Sequence, residues 1–250
     1  MNPIRFYGFK FLFVIVTLLW SSAIGLTSYF LPERKHVIFA SYWGDTVIWL
    51  AKVVAGIDYR LTGEEHIPKI LAGQSAFVLM SNHQSTWETA FLPTLNRYQV
   101  WVLKQELAKI PVFGWALTRL GSIAIDREQK KAALKQVMQD GKSALERGRS
   151  VSIFPEGTRS PVDAPQKFLA GGAMLAHHAG VVIVPVAHNA GMFWSSTGKL
   201  HQGTIEVVVG EPIATEGKSL SQVQQEAEAW ISQTRERLIA EEYARRQKAL

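Results

Sequence analysis

The N-terminal run from Phe11 to Leu31 contains no charged residue, and no other segment restricts the possible folds of this chain as strongly. A helix needs about 20 apolar residues to cross the hydrocarbon core of a membrane. Arg5 and Lys10 precede the run and further basic residues follow it, so the positive charges favour no direction of crossing. A secretory signal peptide is the rival interpretation, but the apolar run is longer than such signals carry and no clear cleavage site is present.

A second apolar segment, from His36 to Ile57, contains Asp45 and Lys52 together with several aromatic residues. Because Trp and Tyr favour the headgroup level of a bilayer, this segment is typical of a membrane interface. A helical hairpin that lies in one leaflet accommodates both segments better than a simple span does. We therefore expect residues 1–57 to form a two-helix membrane anchor and residues 58–250 to form a separate domain.

The charge balance and the absence of cysteine limit the possible functions. Lys and Arg number 27 against 21 acidic residues, and the net charge of +6 favours an anionic partner such as a phosphate group or an anionic lipid. No nucleic-acid-binding motif with interleaved aromatic residues is present, so we expect no nucleic acid partner. A chain without cysteine has no disulfide, no thiol nucleophile and no thiolate metal site.

Apolar runs alternate with amphipathic stretches from Tyr59 onward. This alternation predicts an α/β fold with a mixed, mostly parallel sheet flanked by helices. The predicted strands are Ser75–Met80, Gln99–Leu103, Ser122–Ile125, Ser150–Phe154, Val181–Val186 and Thr204–Val209. The predicted helices are Trp87–Leu95, Val112–Arg119, Glu128–Arg147, Phe168–Ala179 and a last one from Ser219, which opens with a capping box, to about Arg246.

His83 and Glu88 stand five residues apart, directly after the first of these apolar runs. Ser81 or Asn82 is a candidate N-cap for the helix that begins at Trp87. The pair is therefore expected at an edge where a strand gives way to a helix, and α/β folds often build their sites at such edges. Taken alone, such a pair is more often a structural hydrogen bond than a catalytic one.

Two further predicted strands are followed by charged groups. Asp126 and Arg127 follow one strand, and the sequence FPEGTRS, from Phe154 to Ser160, contains the end of another. Arginine suits bidentate binding of a phosphate, and Gly157 permits a ligand to approach the main chain closely. Each feature alone is compatible with a surface ion pair or a tight turn. Their common position after strands indicates a site.

In this order, Asn-His-x4-Glu, Gly-x-Ile-x-Ile-Asp-Arg, Phe-Pro-Glu-Gly-Thr-Arg-Ser and Val-Pro-Val resemble the four motifs of the glycerolipid acyltransferases. The pattern is most similar to that of the bacterial 1-acyl-sn-glycerol-3-phosphate acyltransferases. The resemblance extends from about Tyr59 to Pro212, and a two-helix N-terminal membrane motif is also a feature of that family. Further similar pieces are Gly63–Pro68 and Lys104–Trp115.

The resemblance implies transfer of a fatty acyl group from acyl-CoA or acyl carrier protein to the sn-2 hydroxyl of 1-acyl-glycerol-3-phosphate, which gives phosphatidic acid. His83 would be the general base and Glu88 would orient it. The implied substrate phosphate-binding residues are Arg159, Arg127, Lys104, Glu156, Gly157 and Thr158, with Glu156 expected to orient the ligand or an arginine rather than act as a second base. No cofactor and no metal are expected. The implied location is the bacterial inner membrane, with the catalytic domain on the cytoplasmic face.

One departure from the family pattern leaves the acceptor open. Leu169 stands where many family members carry a basic residue, so one cation fewer is available for the headgroup of the acceptor or the phosphates of the donor. Acylation of another lysolipid, such as lyso-ornithine lipid, stays open as an alternative. A metal-dependent hydrolase that uses His83 and Glu88 is a further alternative.

Overall fold

The computed structural model describes residues 2–67 and 76–248, and it confirms the predicted α/β class. The strands in these residues are β1 (Ile57–Thr62), β2 (Val78–Ser81), β3 (Gln99–Lys104), β4 (Ile123–Ile125), β5 (Ser150–Ile153), β6 (Ile183–His188) and β7 (Gly203–Val209). They form one sheet in the order β1-β7-β6-β2-β5-β3-β4. The strands from β6 to β4 are parallel to one another, whereas β7 is antiparallel to β6 and pairs in parallel with β1.

Helices cover both faces of the sheet. They are α1 (Pro3–Thr27), α2 (Glu33–Leu50), α3 (Trp87–Leu95), α4 (Phe113–Arg119), α5 (Lys130–Glu146), α6 (Gly171–Ala179) and α7 (Leu220–Lys248), and α2 continues as a π-helical segment, Ala51–Ala55. The capping box predicted before α7 is present, because Ser219 N–H donates to Gln222 Oε1 at 2.8 Å and Gln222 N–H donates to Ser219 Oγ at 3.3 Å. Each helix predicted beyond residue 58 is present with small shifts at its ends.

The sequence of the central strands explains the two-layered core. β2 and β5 are buried throughout, as expected for parallel strands covered on both faces. Successive residues of β2 point to opposite faces, so Leu79 packs in the core under α1, α2 and α3, whereas Val78 and Met80 pack in the core under α5, α6 and α7. His83 follows β2 at the centre of the sheet.

Helices α1 and α2 are docked on the rest of the protein. Phe9 is fully buried and packs edge-on against Trp194, with ring centroids 5.0 Å apart. Asp45 on α2 accepts two hydrogen bonds from Arg97, at 2.7 and 3.1 Å. Gly44 lies so close to α3 that a Cβ atom at this position would stand 2.2 Å from the carbonyl oxygen of Ala90.

The opposite surface of the hairpin is apolar and uncovered. Pro3–Thr27 and Glu33–Ala55 are each long and apolar enough to cross a membrane. The side chains of α1 that are most exposed include Ile4, Tyr7, Phe11 and Leu19. The hairpin therefore presents one face to the protein core and one apolar face to the outside, which is consistent with membrane association.

The predicted N-cap is wrong, because α3 is preceded by Thr86, and the N–H of Trp87 donates to Ser85 Oγ at 2.9 Å. Asn82 is instead engaged elsewhere, and Ser81 belongs to β2. The predicted strand start at Ser75 and the Pro68 end of the Gly63–Pro68 segment lie outside the described residues.

Candidate active site

His83 lies in the loop that joins β2 to α3, and this loop is fixed by a pairing between Asn82 and His188. Asn82 Nδ2 donates to the carbonyl oxygen of His188 at 3.0 Å, and the N–H of His188 donates to Asn82 Oδ1 at 3.0 Å. His188 Nε2 lies 2.9 Å from the carbonyl oxygen of Asn82, and Nδ1 accepts the N–H of Ala190 at 3.2 Å. Both residues are buried, and burial lowers the pKa of His188, which favours the neutral ring that this pattern requires.

The structure brings His83 and Glu88 into direct contact. His83 Nδ1 lies 2.9 Å from Glu88 Oε1, and the same oxygen accepts the N–H groups of Gln84 at 2.8 Å and Ser85 at 2.6 Å. This geometry arises because α3 begins at Trp87, which places Glu88 in the first helical turn with its carboxylate folded back over the loop. The contact occupies Nδ1 and leaves Nε2 of His83 as the nitrogen that can act on a substrate.

Glu88 is held in its ionised form. Its side chain is completely buried, and burial alone would raise its pKa. Against this effect of burial, the hydrogen bond and charge of His83 and the N–H of Ser85 lower the pKa of Glu88 below its ordinary value. The site therefore contains a buried negative charge that can stabilise a protonated His83.

The segment that follows β5 holds His83 from the other side. The ring of Phe154 stacks on the imidazole of His83, with centroids 4.0 Å apart and an angle of 9° between the planes. Glu156 is only 4% exposed, and its Oε1 accepts the N–H of His83 at 2.8 Å. Ser160 N–H donates to the carbonyl oxygen of His83 at 2.8 Å. Glu156, predicted among the phosphate-binding residues, thus contacts the main chain of His83.

The predicted cations gather around one cavity. Arg127, Arg159, Lys104 and His83 all line it. Burial lowers the pKa of Arg127, the carboxylate of Glu106 opposes this effect, and the like charge of Arg159 adds to it. Lys104 Nζ forms an exposed ion pair with Glu106 Oε1 at 3.4 Å. Such a concentration of positive charge suits an anionic ligand.

The other two motif residues lie at the turn between Glu156 and Arg159. Gly157 has φ of 73°, a left-handed conformation that favours glycine, and its N–H donates to the carbonyl oxygen of Phe154 at 3.1 Å. Thr158 is exposed at the same turn. Leu169, at the position where a basic residue was expected from the family pattern, lies close to Gly157 and is 62% exposed.

The cavity has a volume of about 460 Å³ and a predominantly apolar lining. Its walls come from β3 and from α1, α2 and α4, and they include Phe13, Leu18, Val37, Trp101, Phe113 and Leu117. Both ends of β3, Gln99 and Lys104, line it. At about 3.3 Å per residue the cavity therefore extends roughly 16 Å along the strand, away from the histidine.

Sequence reasoning missed three contributors to this site. The stacking partner Phe154 and the main-chain contact of Ser160 belong to a quoted motif, but nothing in the motif indicates which way they point. His188 has no metal-ligand spacing in the sequence, and its partner Asn82 is 106 residues away. Within residues 2–67 and 76–248, no group of three or more His, Asp or Glu residues is arranged to hold a metal ion.

A histidine in contact with a buried carboxylate, two arginines and a long apolar cavity form a site that suits an anionic, chain-bearing ligand. The chain belongs to the acyltransferase family, whose model, described as Acyltransferase, matches residues 58–189. This finding confirms the family inferred from the sequence motifs, and the protein is an O-acyltransferase.

Individual relatives agree with this assignment. The chain is 43% identical over 239 residues to the 1-acyl-sn-glycerol-3-phosphate acyltransferase of Pseudomonas aeruginosa, a match that covers 94% of this chain and 91% of that protein. It is 29% identical over 190 residues to the chloroplastic 1-acyl-sn-glycerol-3-phosphate acyltransferase LPAT1 of Arabidopsis thaliana, of which it spans 50%. The crystal structure of the 1-acyl-sn-glycerophosphate (LPA) acyltransferase PlsC from Thermotoga maritima shares the fold, with a TM-score of 0.78, 23% identity and 96% of both chains covered.

Proposed function

We propose that this enzyme transfers a fatty acyl group from acyl-CoA or acyl carrier protein to the sn-2 hydroxyl of 1-acyl-sn-glycerol-3-phosphate, which gives phosphatidic acid. The observation that carries the proposal is that His83, in contact with Glu88, lines the same apolar cavity as Arg127 and Arg159. The name of the Pseudomonas aeruginosa relative supports the choice of acceptor.

In the proposed mechanism His83 Nε2 takes the proton of the acceptor hydroxyl as its oxygen attacks the thioester carbonyl. A C–O bond forms, and collapse of the tetrahedral intermediate breaks the C–S bond. His83 then returns the proton to the departing thiolate. Glu88 keeps Nδ1 protonated and stabilises the imidazolium that forms between the two steps. The nucleophile belongs to the substrate, so the reaction needs no nucleophilic side chain from the enzyme.

The cations have a separate role in this proposal. Arg159 and Arg127 bind the phosphate of the acceptor, since a guanidinium can donate two parallel hydrogen bonds to one phosphate. Lys104 adds charge at the rim, and the left-handed turn at Gly157 with the exposed Thr158 brings main-chain and hydroxyl groups close to the phosphate. The apolar cavity holds an acyl chain, whose burial contributes about 0.8 kcal/mol for each methylene.

We also propose that residues 1–57 form a hairpin in one leaflet, and that residues 58–250 form the catalytic domain on the cytoplasmic face of a bacterial inner membrane. The exposed apolar side chains of α1 support a membrane-embedded surface, and the net charge of +6 supports contact with anionic lipid. In this arrangement a lysolipid can move from the leaflet to His83 without crossing water.

The experiment is to reconstitute the purified protein in lipid vesicles and offer a panel of lysolipids with acyl-CoA and acyl carrier protein donors. Products are followed by mass spectrometry. We expect transfer to 1-acyl-glycerol-3-phosphate, and we expect His83→Ala to lower the rate by about 10²–10⁴, the usual cost of losing a general base. His201→Ala is the matched control, because the residue is exposed.

Three outcomes would contradict the proposal. Near-normal turnover by the His83→Ala variant would remove the proposed base. Preferential acylation of a lysolipid without phosphate, such as lyso-ornithine lipid, would contradict the assigned acceptor. Ester hydrolysis that is lost on chelation would indicate a metal-dependent hydrolase instead.

A further inference from the structure

Glu156, Ser160 and the main chain of His83 form a closed set of contacts behind the dyad. Glu156 Oε1 accepts the N–H of His83 at 2.8 Å, and Glu156 Oε2 is in hydrogen-bond contact with Ser160 Oγ. Ser160 Oγ also lies 3.2 Å from the carbonyl oxygen of His83. The contacts therefore run in a ring from His83 N–H through both carboxyl oxygens and the serine hydroxyl back to His83 C=O.

The ring is short of one proton when Glu156 is ionised. The main-chain N–H of His83 supplies the first link, and His83 O also accepts the N–H of Ser160, but the hydroxyl of Ser160 has a single proton for its contacts with two acceptors, Glu156 Oε2 and His83 O. A neutral Glu156 removes the conflict. Its O–H donates to Ser160 Oγ, and the Ser160 hydroxyl then donates to His83 O, so that every link carries one proton.

We propose that Glu156 works as a neutral carboxylic acid that completes this ring, and that it is a positioning residue which holds the main chain of His83. The proposal deepens the proposed function, on which it rests for the role of His83. It also explains why a carboxyl group of the phosphate-binding motif is buried against main chain instead of facing a ligand.

The surroundings of Glu156 favour the neutral form. Burial raises its pKa to about 7, and the negative charge of Glu88 on α3 acts in the same direction. The N–H of His83 and the buried Arg235 on α7 act in the opposite direction without cancelling the effect of burial. Below pH 7 the ring is therefore mostly complete. Above it the carboxylate forms, one hydrogen bond is lost, and a second buried negative charge lies near Glu88.

The test compares the pH profiles of kcat/KM for the full-length enzyme and for Glu156→Gln between about pH 5.5 and 9. Glutamine is a permanent mimic of the neutral acid, since its oxygen can accept from His83 N–H and its amide can donate to Ser160 Oγ. Above its pKa, the neutral fraction of Glu156 falls about tenfold per pH unit, so we expect Glu156→Gln to lack this decline and to exceed the wild type about fivefold near pH 8 and nearly tenfold near pH 9.

Two further variants separate positioning from simple structure. Glu156→Ala and Ser160→Ala break the ring at every pH, and we expect both to be slower by about tenfold with no gain at high pH. A folded Glu156→Gln protein that is inactive at every pH would show that the carboxylate is required and would overturn the proposal. So would a decline above pH 7 that is the same in Glu156→Gln and in the wild type.

Infrared difference spectroscopy supplies a readout that does not depend on turnover. We expect the wild-type protein to show the C=O band of a neutral carboxylic acid that disappears with a midpoint near the pKa of Glu156, about 7. The band should be absent from Glu156→Gln and unchanged in the exposed control Glu216→Gln. Absence of the band from folded wild-type protein at pH 6 overturns the ring. A protein that shows the band but transfers no acyl group contradicts the proposed function only.

Discussion

Replacing Glu88 by Gln tests how far the rate depends on a negative charge rather than on the shape of the side chain. The N–H groups of Gln84 and Ser85 both need an acceptor where Glu88 Oε1 stands, at 2.8 and 2.6 Å. The amide oxygen must therefore take that position, and the amide nitrogen falls where Oε2 was. His83 Nδ1 can still donate to the oxygen, so the orientation and tautomer of the ring are kept.

What the substitution removes is the charge that faces the imidazolium. A hydrogen bond to a charged group contributes about 1.5–3 kcal/mol and a neutral one about 0.5–1.5 kcal/mol. Because Glu88 is completely buried, its Coulomb attraction for protonated His83 is weakly screened. We expect a total loss of about 3–4 kcal/mol in the transition state, which lowers kcat by about 10²–10³. KM should change little, because Glu88 sits behind the base.

The assay measures thiol release from acyl-CoA by full-length wild type and Glu88→Gln in vesicles, with each substrate varied in turn. Glu241→Gln is the control, since its carboxylate is about half exposed and pairs with Arg237 on the surface. Thermal unfolding of each protein verifies that the fold is intact. A wild-type kcat, or an effect confined to KM, would refute the charge argument.

Three other perturbations follow from the structure. Arg159→Ala should raise KM for a phosphate-bearing acceptor about tenfold and leave KM for the donor nearly unchanged; equal increases in steady-state kinetics would place the arginine elsewhere. Gly44→Ala places a Cβ atom 2.2 Å from Ala90 O, so α2 must move away from α3. The free energy of unfolding should therefore fall by about 1–3 kcal/mol. Gly8→Ala is the control, because a Cβ atom there has nothing within 4 Å, and its melting temperature should equal that of the wild type. The pKa of Glu88 is lowered from 4.5 in the folded protein. The stability given by its ionised form is therefore complete above pH 4.5 and is lost as the pH falls through the folded pKa. We expect acid to lower the melting temperature of the wild type more than that of Glu88→Gln.

Among the strands that the sequence predicted, β2, β5 and β6 are buried at every residue. β2 continues the apolar run that begins at Ala76, and such a run is recognisable without knowing its neighbours. β1 was not predicted, because it is an edge strand in which only Ile57 is buried and Asp58 and Arg60 interrupt any apolar pattern. The reversed direction of β7 was also beyond local reasoning, since it depends on which strand lies beside it in the folded sheet.

In the candidate site, contacts between residues close in sequence could be predicted, whereas contacts between distant residues could not. His83 and Glu88 lie within one short loop and helix, so their spacing in the sequence was enough to suggest the contact that the structure shows. Asn82 was mistaken for a helix cap because its partner, His188, is 106 residues away. Glu156 is 73 residues from His83, and a Pro-Glu-Gly motif gives no sign of whether the carboxyl group faces a ligand or the main chain of another loop.

The N-terminal hairpin and the sheet domain both contribute walls to the cavity. The cavity is lined by Phe13 and Leu18 on α1 together with Trp101 on β3 and Leu117 on α4. A chain whose hairpin is not docked lacks the part of this lining that α1 and α2 supply. Under the proposed function, docking of the hairpin therefore completes the site for an acyl chain.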